Sequence, residues 1–150
     1  MKITFDTGVK EFEINNNGVL RFNPGDPNVY ARFFDAAEQI QSIEEELEAK
    51  GKSLDGDEAS GEKAIRFIQE ADKKVKELLG QVFGHGNDFD KLLGGVNILA
   101  VAGNGERVVT NLMHALLPIV EQGAKRCFEQ KVETAVGKAK GNRAARRANK

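Results

Sequence analysis

A chain of 150 residues is sized for one domain and is long enough to bury a real core. Hydrophobic residues at 40% and charged residues at 30% exclude wholesale disorder, and a net charge of −1 leaves any charge-driven role to local clusters. The single cysteine, Cys127, excludes an intrachain disulfide, and no apolar run reaches the roughly 18 residues of a spanning helix.

The start, "MKITFDTGVKEFEI", alternates charge and apolarity and has no signal-peptide core, so a soluble intracellular protein is expected. Residues 1–23 read as an antiparallel β-meander of two or three strands. Ile3 and Phe5 share a face, Thr7-Gly8 is a turn, and Phe12 and Ile14 share the next face. Asn15 to Gly18 is a strong turn, because Asn and Gly tolerate positive φ, and Leu20 and Phe22 complete the pattern. Such a meander is too small to stand alone and has to pack on helices.

The period then changes. Asp26 is a good N-cap and Pro27 suits the first helical position. Val29, Phe33, Ala36, Ile40, Ile43 and Leu47 recur at helical spacing, with Tyr30, Phe34 and Ala37 widening the stripe and Gly51 as the stop. "GKSLDGDEASGEK" is expected as a mobile loop. A second helix is predicted from Glu58 or Glu62 to Phe83, its stripe formed by Ile65, Ile68, Ala71 or Asp72, Val75, Leu78, Leu79 and Val82. "GHGND" breaks it, and Asp88 caps a short helix in "DFDKLLGG". In "VNILAVAGN", residues 96–102 suit a strand or a buried helical turn equally. The last helix is predicted from Asn104 past Glu129, with Val108, Leu112, Ala115, Leu116, Ile119 and Val120 inward, and a kink or interruption at Ala115 to Leu117 caused by Pro118. The apolar pattern ends at Val136, so a frayed or disordered basic end is expected. The fold class is α+β: one domain over 1–137, made of a meander at 1–23 and a helical body at 26–137, followed by a basic tail at 138–150.

Charge is unevenly placed. Asp35 to Glu62 holds ten acids against Lys50 and Lys52, whereas the tail holds Lys138, Lys140, Arg143, Arg146, Arg147 and Lys150 with no acid. Copies could therefore attract one another, and self-association is expected. The tail has no aromatic to stack on bases and no base-reading motif, which disfavours nucleic acid as a partner.

No constellation supports catalysis. His85 and His114 share no metal-type spacing with each other or with Cys127. His85 reads as part of a helix-ending turn, and His114 as a packing residue. "GNGE" at Gly103 to Glu106 lacks both phosphate-loop patterns, and Glu44 to Glu48 read as a solvated face. Cys127 is read as an inert thiol. An enzyme is not expected, nor a cofactor or a bound metal.

Three stretches together carry a resemblance: "LRFNPGDPNVYARFFDAAEQI", "VFGHGNDFDKLLGG" and the closing "NRAARRANK". Their layout resembles the small tail assembly chaperones of long-tailed phages and prophages. The resemblance implies a non-catalytic protein that binds the tape measure protein, a long helical chain, and keeps it soluble until the tail tube forms. It also implies the host bacterial cytoplasm as the location and absence from the mature virion. Such a chaperone needs an apolar groove with a charged rim, and Tyr30, Phe34, Phe83, His85, Phe89 and Leu92 are the candidate partner-binding residues. The alternative is a small phage nucleic-acid-associated or regulatory protein that uses Lys138 to Lys150.

Overall fold

The structure, a computed structural model, describes the backbone of residues 1–52 and 58–148; the side chains of Glu58 and of 130–148 lie outside the description. Two strands, β1 (Lys10–Ile14) and β2 (Gly18–Phe22), precede four helices: α1 (Pro27–Lys52), α2 (Glu58–Phe83), α3 (Phe89–Leu92) and α4 (Val108–Ala148). The α+β class is as expected.

β1 and β2 pair antiparallel, with Phe12 opposite Leu20 and Glu11 opposite Arg21. Asn15 and Asn16 make the turn at positive φ, and the Asn17 N–H donates to the Ile14 carbonyl at 2.8 Å. A third strand does not form. The Asn23 side-chain amide donates to the Thr7 carbonyl at 2.9 Å, and the Gly8 N–H donates to Asp6 Oδ1 at 2.7 Å. The first bond ties the segment to the end of β2, and the second spends its turn chemistry within the segment. Ile3 and Phe5 are left 80% and 78% exposed.

Asn87 does for β2 what a third strand would do. Its Oδ1 accepts from the Arg21 N–H and its Nδ2 donates to the Arg21 carbonyl, both at 2.9 Å. The same amide donates to the Phe83 carbonyl at 3.1 Å, fastening the end of α2 to the sheet. Asn87→Ala is expected to cost about 1–2 kcal/mol in urea denaturation, because two strand groups and a helix-end carbonyl lose their partner. Asn87→Asp is expected to cost more, since it sets a carboxylate against two carbonyls; equal stability of all three proteins would refute this role.

α1 begins as its sequence demands. Asp26 Oδ1 accepts from the Asn28 N–H at 2.9 Å, and Pro27 occupies the first turn. The buried residues are the six of the predicted stripe, from Val29 to Leu47. The helix passes Gly51 and ends at Lys52. α1 packs on both α2 and α4. α2 buries Ala71, Val75, Leu79, Val82 and Phe83, with Ile68 and Leu78 packed against them. Ile65 is 59% exposed, because α1 buries nothing beyond Leu47 for that turn to meet. Asp72, the alternative to Ala71, is bonded rather than packed: it pairs with Lys76 and accepts from the Ile98 N–H at 2.7 Å.

Residues 96–102 form neither strand nor helix. They are turns with one isolated bridge, Val101 to Arg107. Ile98 and Leu99 are apolar because they plug the core at 0% and 1% exposure. Side chains and the start of α4 satisfy their backbone: the Val109 N–H donates to the Ile98 carbonyl at 2.8 Å, and Arg107 Nη1 donates to the Leu99 carbonyl at 2.7 Å. Those bonds delay α4 to Val108 instead of Asn104.

α4 is not interrupted at Pro118. The carbonyl that loses its partner there is that of His114, and both residues face solvent, where water can serve it. α4 buries Val109, Leu116, Val120 and Ala124, with Leu112 and Ile119 half-buried. Ala115 and His114 are exposed, so His114 is not the packing residue expected. The helical backbone continues to Ala148, into the segment expected to be frayed.

The aromatic core joins the hairpin, α1, α2 and α3. Phe22 meets Phe12 at 5.0 Å and Phe83 at 4.7 Å between ring centroids, and Phe83 meets Phe33 at 6.3 Å and Phe89 at 5.9 Å.

Candidate docking surface

Beside the buried stripe of α1 runs a second row: Tyr30, Phe34, Ala37, Gln41 and Glu44. Their helical spacing puts them on one face. The Tyr30 and Phe34 rings lie 4.8 Å apart and each residue is 38% exposed. Phe34 also stands edge-on to the buried Phe33 at 5.6 Å. Further along, the row meets α4 in a shallow groove of about 180 Å³ lined by Ala37, Ile40, Gln41 and Glu44 of α1 and by Val109, Thr110, Met113 and His114 of α4.

The far end of the groove is acidic. Burial raises the Glu44 carboxyl above the usual carboxylate range; Arg107 partly offsets this, while Glu48 and Glu106 add to it. The surface thus has an aromatic ridge, an apolar floor and a negative end. From Tyr30 to Glu44 it runs about 21 Å, close to four helical turns.

Of the residues predicted from sequence to bind a partner, Tyr30 and Phe34 lie on this surface. Phe83, Phe89 and Leu92 do not: they are 5%, 3% and 4% exposed and hold α2, α3 and β2 together. His85 is exposed on the turn after α2. Apolar residues flanking a turn read alike whether they close a core or offer a surface, and here the short α3 folds them inward. The sequence does not single out Thr110, Met113 and His114 as partner-binding, because only the docking of α4 on α1 brings them to the groove. The side chains of Lys138, Lys140, Arg143, Arg146 and Arg147 lie outside the description, as does Lys150 altogether.

Comparison with family models, with curated proteins and with solved structures finds no match in any of the three. Among the described residues no group of three or more His, Cys, Asp or Glu is arranged to hold a metal, and no helix is long and apolar enough to cross a membrane. A second cleft, of about 380 Å³, lies between Lys10, Pro24 and Gly25 on one side and Gly123, Arg126 and Cys127 on the other. Lys10 and Cys127 both line it, and among the described residues no hydrogen bond joins them.

Proposed function

We propose that this protein is a non-catalytic assembly chaperone that binds an amphipathic helical client, and that the client is the tape measure protein of a long-tailed phage or prophage. The observation that carries the reading is the Tyr30–Phe34 ridge running into the α1–α4 groove. A client helix would lay its apolar stripe along the ridge and floor, and its basic flank against Glu44, Glu48 and Glu106. The length of the surface matches about four turns of such a helix. The layout of the three sequence stretches supports the choice of client and, with it, a bacterial cytoplasmic setting.

Co-expression with the tape measure gene of the same cluster is expected to yield a soluble complex. Tyr30→Ser combined with Phe34→Ser is expected to weaken client binding by at least tenfold, roughly 1.4 kcal/mol, since exposed aromatics at the centre of a contact dominate its energy. The fold should tolerate both changes, because each ring is more than a third exposed. A tape measure protein that is equally soluble alone, or a double variant that binds as tightly as the parent, would overturn the proposal.

A further inference from the structure

The hairpin has two outer edges, and that of β2 is covered, by Asn87 at Arg21 and by α3 alongside. Asn87 occupies both main-chain groups of Arg21, so these point away from β1. Arg21 and Glu11 are therefore a pair without mutual hydrogen bonds, and Glu11 sends its own N–H and C=O to the outer side of β1. Glu13, two residues on, does the same. Among the described residues no main-chain hydrogen bond from outside the hairpin reaches Glu11 or Glu13.

The same chain carries an unpaired segment with strand chemistry. Lys2-Ile3-Thr4-Phe5-Asp6 alternates polar and apolar side chains and contains β-branched and aromatic residues. Ile3 and Phe5 are left in water at 80% and 78% exposure. The tie of Thr7 to Asn23 keeps the segment on the β2 side, away from its own free edge.

We propose that residues 2–6 of one copy add as an antiparallel strand to the outer edge of β1 in a second copy. One register satisfies every constraint. Ile3 lies opposite Phe12 and Phe5 opposite Lys10, on the face that packs towards the core. Lys2 then lies opposite Glu13 and Thr4 opposite Glu11, on the solvated face. In this register Glu11 and Glu13 are the hydrogen-bonded positions, as their outward N–H and C=O groups require. Lys2 meets a carboxylate, and Ile3 covers the half-buried Phe12, which already stacks on Phe22. Phe5 arrives beside Lys10 at the mouth of the cleft formed with Pro24, Gly25, Gly123 and Cys127. A slip of one residue would turn Ile3 and Phe5 to the glutamate face, so the register is specified. Each copy has one such segment and one such edge, so the contact is complementary between identical chains. It does not depend on the client-binding reading.

The test is light scattering across a concentration series, with amide hydrogen exchange read at Glu11 and Glu13. The full chain is expected to gain mass with concentration and to protect both amides as it does so. Ile3→Asp combined with Phe5→Asp is expected to weaken association by at least tenfold while the circular dichroism stays that of the parent. Glu13→Lys should also weaken it, and Lys2→Glu in the same chain should restore it. A full chain that stays monomeric overturns the proposal. So does association that leaves the Glu11 and Glu13 amides unprotected, or that survives the Ile3 and Phe5 substitutions.

Discussion

Gly123→Ala is expected to destabilise the protein by about 3 kcal/mol, although Ala is the better helix former. In an open helix the change should gain close to 1 kcal/mol. Gly123, however, sits inside α4 where the helix meets the chain entering α1, and a Cβ there would overlap the carbonyl group of Pro24. Neither side can yield easily. Asn23 Oδ1 accepts from the Gly25 N–H at 2.7 Å, and the Asp26 N–H donates to the Asn23 carbonyl at 3.2 Å, so Pro24 lies within a bonded turn leading directly to the α1 cap. Relief would require α4 to lift, opening the contacts of Leu116, Val120 and Ala124. Urea denaturation of the variant measures this. Gly61→Ala in α2, with nothing within 4 Å of the added methyl, is the control and should be neutral or stabilising. A Gly123→Ala protein as stable as the parent would refute the close approach.

Lys76→Met is expected to cost about 3 kcal/mol, because it removes one partner of a mostly buried ion pair and leaves the other behind. The Lys76 side chain is 9% exposed, and its Nζ lies 3.0 Å from Asp72 and 2.7 Å from Asp90. It also donates to the Val96 carbonyl at 3.0 Å. Asp72 in turn holds the Ile98 N–H, so one ammonium group joins α2, α3 and the turn that carries the Ile98 and Leu99 core plugs. Burial is the largest single influence on Lys76 and lowers its pKa, but the hydrogen bonds and charges of Asp90 and Asp72 together outweigh it, and the net shift is upward from 10.5. The folded state therefore holds this proton more tightly than the unfolded chain does. The contribution is complete below the ordinary lysine value and is lost as pH rises through the raised folded value. The stability gap between parent and Lys76→Met should stay constant from neutral pH to about 10 and narrow above it. Urea midpoints across that range check this; a gap that is absent at neutral pH, or unchanged through the alkaline region, would refute it.

Both features escape a reading of the chain alone. Gly123 sits in "VEQGAKR" with nothing to distinguish it from a mere helix weakener. Lys76 belongs to "DKKVKELL", where Lys73, Lys74 and Lys76 look alike, and only the position of α3 selects Lys76. The candidate partner residues divide in the same way. Tyr30 and Phe34 were legible as a second row on a helix whose first row already filled its core face. Phe83, Phe89 and Leu92 are equally apolar, but Phe83 meets Phe22 and Phe33, the chain after Gly84 brings Phe89 onto Phe83, and Leu92 is buried in the same core.

By itself the sequence determined what depends on neighbours within a few residues: the Asn15-Asn16 turn, the Asp26-Pro27 start, the six-residue core stripe of α1 and the Asp88 cap. Periodicity and local hydrogen bonding act over a turn or two and need no distant partner. Tertiary structure alone decided which alternating segment became a strand, what 96–102 became and which apolar faces stayed open. In each case the deciding partner is remote in the chain. Asn87 closes β2, Asn23 holds back residues 1–6, Asp72 and Arg107 satisfy the 96–102 backbone, and α4 builds the groove against α1. A strand edge or an apolar face has no fixed value until something covers it, and that assignment is a property of the packed chain.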